Sequence, residues 1–137
     1  MNDNQRPLPK PDRDSEYYWA AARRHELVFQ QCDECALFRF YPRLVCPSCM
    51  STDYHWREST GRGTVYSYTV IHRAPTPAFR EQVPYVLALI DLEEGVRMMS
   101  NVVGCDVGEV SIGMPVRVTF EDVSDEISLP KFTPEVD

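Results

Sequence analysis

Cys32-Asp33-Glu34-Cys35 and, after ten intervening residues, Cys46-Pro47-Ser48-Cys49 form the stretch that decides how the rest of the chain is read. A gap of two residues lets both thiolates of a pair reach one ion at about 2.3 Å, and two pairs facing each other complete a tetrahedron with no open position. A site closed in this way is structural rather than catalytic. The pattern predicts one structural zinc ion held by Cys32, Cys35, Cys46 and Cys49. An iron centre of the rubredoxin type is the competitor, because four thiolates also suit iron. Rubredoxin knuckles carry glycine after the second cysteine of each pair, whereas Ala36 and Met50 stand there, which weakens the electron-carrier reading. A disulfide framework would need an oxidising compartment.

Outward from the cysteines, residues 27–31 read as a strand running into Cys32 and residues 38–41 as the strand leaving Cys35, ended by Pro42. Residues 53–58 read as a third short strand that closes a ribbon. Toward the N-terminus, Pro7, Pro9 and Pro11 make residues 1–13 an extended arm, since each ring fixes its own φ and biases the residue before it. Asp14-Ser15 offers an N-cap, Glu16 suits the positive end of a helix dipole, and Arg23-Arg24 suit the negative end, so a helix of about 10 to 12 residues is expected. Its aromatic residues, Tyr17, Tyr18 and Trp19, need a surface to cover.

Beyond Gly61 and Gly63 the signals change to strands. Residues 63–71 alternate Val65, Ser67, Thr69 and Ile71 with Tyr66, Tyr68 and Val70, and apolar runs follow at 83–92, 96–103 and 116–120. Glu93-Glu94-Gly95 marks a tight, solvated turn. Four or five strands in about 70 residues leave no room for crossover helices and predict a small antiparallel barrel of the OB-fold type, with an SH3-like barrel as the alternative. The expected organisation is an arm and helix at 1–26, a zinc ribbon at 27–60 and a barrel at 61–137, mainly β overall.

Of the 137 residues, 43% are hydrophobic and 26% charged, and no apolar run approaches the roughly 18 to 20 residues of a membrane span. Residues 1–11 lack the apolar stretch of a secretory signal, so a cytoplasmic protein is expected. Residues 1–60 carry a net charge of −1 and residues 61–137 carry −6, which together make the −7 of the chain. Such an acidic second half repels phosphate backbones and disfavours a nucleic-acid-binding module, the second function considered beside an electron carrier. His25, His55 and His72 are scattered, Cys105 has no histidine near it in sequence, and no phosphate loop or nucleophile elbow is present. Catalytic residues are therefore not assigned.

Two further stretches fit binding. Arg39-Phe40-Tyr41-Pro42-Arg43 sets two cations and two aromatics beside a knuckle, a rim suited to an anionic ligand or an acidic partner. His72-Arg73-Ala74-Pro75-Thr76-Pro77-Ala78-Phe79 is a proline-stiffened loop, pre-organised to bind at low entropic cost.

At these residues the chain resembles the domain-of-unknown-function 35 (DUF35) proteins, which join a rubredoxin-like zinc ribbon to an OB-fold and accompany acyl-CoA enzymes. The resemblance is carried by His25-Glu26-Leu27-Val28, by the four cysteines with Tyr41-Pro42-Arg43 between them, and by the run from Gly61 to Val70. The His72-Arg73-Ala74-Pro75 loop, Pro84-Tyr85-Val86 and Ile112-Gly113-Met114-Pro115-Val116 extend it over nearly the whole chain. It implies a non-catalytic subunit of a hetero-oligomer with a thiolase-like chain related to sterol-carrier-protein-type thiolases. The partner would cleave a carbon–carbon bond, by retro-aldol or thiolytic chemistry, in steroid side-chain or aromatic acyl-CoA thioesters. The small subunit would help form the acyl-CoA site. Contacts with CoA or the partner by Arg39, Tyr41, Arg43, His72, Arg73 and Phe79 are expected from side-chain chemistry, not from the resemblance.

Overall fold

The computed structural model describes residues 7–135. Of the arm expected at 1–13, residues 1–6 lie outside the described residues, and residues 7–12 form neither helix nor strand. Among the described residues no helix is long and apolar enough to cross a membrane.

Helix α1 spans Glu16–Arg23, eight residues and thus shorter than expected. Ser15 occupies the N-cap position without capping, because its hydroxyl donates instead to Asp12 Oδ1 at 2.8 Å. The same oxygen accepts the Asp14 and Ser15 N–H groups, so Asp12 organises the turn that starts the helix. At the other end the His25 N–H donates to the Ala22 carbonyl and the Glu26 N–H to the Ala21 carbonyl, both at 2.9 Å. These paired bonds are a Schellman motif that satisfies the last free carbonyls. Tyr18, Trp19, Ala21 and Ala22 are buried, the spacing of one helical face.

The ribbon is a three-stranded antiparallel sheet in the order β2-β1-β3, formed by β1 (Val28–Cys32), β2 (Phe38–Arg39) and β3 (Tyr54–Glu58). β2 stops two residues earlier than expected because Phe40 and Tyr41 leave the sheet to pack edge-on against Tyr18, at 5.8 and 5.9 Å between centroids.

The second half closes into a barrel of five strands, β4 (Arg62–Ile71), β5 (Tyr85–Leu92), β6 (Arg97–Val102), β7 (Pro115–Asp122) and β8 (Ser128–Pro134). Its order is β4-β5-β6-β8-β7, with β7 returning to β4. All pairings are antiparallel except β6 with β8, where Val102 faces Phe132. Five strands in this Greek-key order are the OB-fold.

The alternation expected along β4 breaks at a β-bulge. Val65 faces Ile90 and Ser67 faces Leu89, so Tyr66 has no opposite residue. An extra residue shifts everything beyond it to the other face. Val70, opposite the buried Val86, therefore packs on the core in place of Thr69 and Ile71. Near the start of β4, Gly63 lies so close to β5 that a Cβ would stand 2.5 Å from the Asp91 carbonyl oxygen, so no side chain fits there. Val65, Val86, Ile90, Val116 and Phe132 fill the barrel, each at most 1% exposed, and each such side chain contributes about 1.5–3 kcal/mol. The same core continues into Leu27, Phe29, Tyr18 and Trp19, so helix, ribbon and barrel share one interior.

Glu93 and Glu94 form the turn that their sequence suggests, with Glu93 exposed, and both also bind the junction of ribbon and barrel. Glu94 accepts the Ser59 hydroxyl at 2.8 Å and the Thr60 N–H at 2.9 Å, and Glu93 accepts the Thr60 hydroxyl at 2.9 Å. The β5–β6 hairpin thus grips the segment that joins ribbon to barrel.

Candidate metal centre and the adjoining groove

The two knuckles are near copies of each other. In the first, the Ala36 N–H donates to the Cys32 carbonyl at 3.0 Å and the Cys32 N–H to the Leu37 carbonyl at 2.9 Å; in the second, Met50 to Cys46 and Cys46 to Ser51 repeat this at 2.9 Å. The repeat requires a left-handed residue after the second cysteine, and Ala36 and Met50 take φ of 63° and 67°. Folded so, the four ligand sulfurs lie within 4.8 Å of one another, with Cys32 to Cys49 at 3.5 Å and Cys35 to Cys46 at 3.7 Å. Four sulfurs bound tetrahedrally at about 2.3 Å would stand about 3.8 Å apart, so the residues fit a metal tetrathiolate.

Cys32 and Cys46 are buried, while Cys35 and Cys49 are exposed. The Cys49 and Ser48 N–H groups favour the thiolate of Cys46 and lower its pKa to about 6. The N–H groups of Cys35 and Glu34 likewise lower Cys32. Cys49 is favoured as thiolate by the Ser51 N–H, but the neighbouring sulfurs of Cys32, Cys35 and Cys46 outweigh this and push it up to about 12. Sulfurs this close cannot all ionise without a cation between them, and a bound divalent ion would supply one. Asp33, inside the first knuckle, is tied to His55 Nδ1 at 2.6 Å.

The six residues expected to touch CoA or a partner divide into two groups. Arg39, Tyr41 and Arg43 sit on the ribbon; His72, Arg73 and Phe79 belong to the β4–β5 loop. Arg39 does not form the exposed rim that was expected, for it is only 6% exposed. Its Nε donates to Gln30 Oε1 at 2.8 Å and its Nη2 to the Arg43 carbonyl at 2.9 Å. Arg43, His72 and Arg73 are exposed. Tyr41 is 40% exposed, and its hydroxyl accepts the Trp19 indole N–H at 3.2 Å.

Tyr41 and Phe79 line opposite ends of a groove on the outer face of the barrel. Two adjoining clefts share Leu87, Asn101, Leu129 and Lys131 as their floor, with Met99 toward Tyr41 and Tyr85 toward Phe79, and a third beside Phe79 shares Asn101 and Lys131. Phe79 rests on Tyr85 at 5.9 Å. Lys131 donates to Asn101 Oδ1, and Asn101 Nδ2 donates to the Val86 carbonyl at 2.7 Å, so a polar pair interrupts the apolar floor. Pro7 and Leu8 of the arm also border this groove. These floor residues were missed in the sequence. The available signal was the outward phase of the continuous apolar run at 83–92, in which Tyr85 and Leu87 face outside the core. Cys105 is partly exposed and its thiol is pushed up by burial, then by Glu109 and Asp106, which holds it protonated and unreactive.

Comparison with known proteins bears on this site. Residues 19–55 match the family model described as the ChsH2 rubredoxin-like zinc ribbon domain, and residues 56–121 match the ChsH2 C-terminal OB-fold domain. A probable enoyl-CoA hydratase alpha subunit of Thermomonospora curvata is 42% identical over 96% of this chain and 40% of its own length. The 3-oxo-4,17-pregnadiene-20-carboxyl-CoA hydratase alpha subunit of Mycobacterium tuberculosis is 41% identical over 85% of this chain and 37% of its own. The chain thus spans about two fifths of the length of these curated relatives. A DUF35 domain-containing scaffold protein of Methanocaldococcus jannaschii is 38% identical, with 75% of this chain and 73% of that protein covered. Among solved structures, a chain of the Ltp2-ChsH2(DUF35) aldolase superposes with a TM-score of 0.85 at 41% identity, over 94% of this chain and 100% of that one.

Proposed function

The chain belongs to the DUF35 family of ChsH2-type proteins, which join a rubredoxin-like zinc ribbon to an OB-fold, and from that membership we propose that it is the accessory subunit of an acyl-CoA carbon–carbon lyase. In this reading it binds a thiolase-fold partner that carries the chemistry and helps enclose the acyl-CoA. The observation that carries the proposal is the superposition on a complete chain of a two-component aldolase. The steroid acyl-CoA in the name of the mycobacterial relative makes a steroid side-chain thioester the first substrate to try.

Four cysteines at tetrahedral separation would hold one zinc ion, with no position left open for substrate. A reducing compartment such as the cytoplasm keeps these thiols available to it. In the three-part division proposed, an arm and helix (1–26) and a ribbon (27–60) precede the barrel (61–137). The groove between Tyr41 and Phe79 is the surface that would meet the thioester or the partner, and the exposed Arg43, His72 and Arg73 are the cations that would meet its anionic groups. A thioester of coenzyme A is long, anionic at one end and apolar at the other, and two chains enclose it better than one.

The two cleavage chemistries differ in co-reactant. Retro-aldol cleavage of a 3-hydroxyacyl-CoA breaks the bond between the α and β carbons, leaves a carbonyl at the β carbon and passes the electron pair to the α carbon, which is then protonated. Thiolysis of a 3-oxoacyl-CoA consumes a free CoA thiol. Co-expression with a thiolase-like chain should give a stable complex that cleaves a 3-hydroxyacyl-CoA without added CoA, and neither chain alone should do so. Turnover by the small chain alone, or separation of the two during gel filtration at micromolar concentration, would refute the proposal.

A further inference from the structure

Arg39 is a buried cation with no carboxylate beside it among the described residues. Every group its guanidinium touches is neutral: the Gln30 amide oxygen, the Arg43 carbonyl and the ring of Tyr54, whose centroid is 5.0 Å from Arg39 Cζ. Two donors shut off from solvent, Arg39 Nη1 and Gln30 Nε2, have no acceptor among the described residues. Arginine cannot escape burial by losing its proton, and a buried charge is tolerated only when something of opposite sign faces it.

The ribbon's register sets where Arg39 stands relative to the cysteines. Gln30 and Cys32 are two apart on β1 and so share a face, about 7 Å apart along the strand. Arg39 is the cross-strand partner of Gln30, and Tyr54 is the cross-strand partner of Cys32. The guanidinium over the Tyr54 ring therefore leans from the Gln30 pair toward the cysteine end of the sheet. A divalent ion with four thiolates carries a net charge of −2. We propose that Arg39 is the counter-cation of this tetrathiolate, aimed by Gln30, and that it serves the metal rather than a partner or CoA. The inference rests on the reading of the four cysteines as a divalent-metal site.

Full-length wild type, Arg39→Met, Arg39→Lys and Gln30→Leu can be compared by competition for zinc against a chromophoric chelator. Cobalt-substituted protein adds the energy of the sulfur-to-metal charge-transfer band, which reports the field on the sulfurs. Arg39→Met should weaken zinc binding ten- to hundredfold, the effect of losing an outer partner of a metal site. Arg39→Lys should recover most of that loss, and Gln30→Leu should fall between. The charge-transfer band should move in Arg39→Met and return in Arg39→Lys. Equal zinc affinity and an unmoved band in all variants, with only a lower melting temperature, would overturn the proposal and leave Arg39 a packing residue. Should Arg39→Met not fold, Arg39→Lys and Gln30→Leu decide the matter by the same two measurements. Failure of the wild type to bind zinc or cobalt would instead refute the metal reading beneath it.

Discussion

Among the described residues, three without the freedom of glycine hold left-handed backbone: Ala36, Met50 and His25, with φ of 63°, 67° and 62°. For an L-residue this conformation costs about 1–2 kcal/mol. Ala36 and Met50 take it because the knuckle repeat demands it, and Met50, 73% exposed, gains little from packing. Glycine would remove the strain while losing about 0.4–1 kcal/mol through its more flexible unfolded chain. Ala36→Gly and Met50→Gly should therefore each stabilise the metal-loaded ribbon by up to about 1 kcal/mol, measured by chemical denaturation at fixed zinc. The clustering of the four cysteines was legible in the sequence because their spacing dictates it. The direction of Arg39 was not, since an arginine beside aromatics reads equally well as a solvated rim, and only its pairing with Gln30 turns it inward.

His25 differs from the other two in what it gains. At the C′ position of α1 its ring stacks on Phe120 at 5.1 Å between centroids and its Nε2 meets Asp122 Oδ1 at 2.8 Å. A helix of eight residues has little stability of its own, so α1 depends on this seam with the barrel. Asp122 also accepts the Ser128 hydroxyl, and Arg23 lies 3.6 Å away. The Ser128 bond, then His25, hold the Asp122 carboxyl below its ordinary 3.8. A depressed folded pKa gives stability that is fully present above the unfolded value and disappears as pH falls through the folded one. Docking of α1 should therefore weaken below about pH 4. Asp122→Asn should lower the melting temperature at pH 7 and flatten its fall in acid, whereas an unchanged acid profile would remove Asp122 from the seam. Strands β4 to β7 could be read from apolar runs, but β8 was missed because Pro130 and Pro134 speak against a strand. The structure accommodates them near β8's middle and at its end, with the Pro130 carbonyl accepting the Ser100 hydroxyl at 2.9 Å. The bulge at Tyr66 was equally hidden, since nothing in an alternating run says where one residue is skipped.

At the scale of the molecule, the fold class was legible because strand count and loop length leave few barrels to choose from, while closure depends on pairings remote in sequence. β4 meets β7 along 62–64, β6 meets β8 in parallel at Val102 and Phe132, and no local signal announces either. The acidic half-chain disfavours a nucleic-acid role by sign alone, yet the groove needed three strands and the β4–β5 loop to come together before it existed. The last strand also supports the first helix: Tyr18 and Trp19 lie against Leu129 and Pro130, and the Arg23 Nε donates to the Asp125 carbonyl at 2.7 Å. During synthesis the aromatic face of α1 is complete about a hundred residues before its seat is made, an interval on the order of 5 to 20 s at ordinary translation rates. Nascent chains arrested before Ser128 should display that face to chaperones and to apolar dyes, and release of a chain extended through Pro134 should quench the dye signal. The order in which the ribosome delivers this polypeptide therefore leaves α1 sticky until β8 arrives.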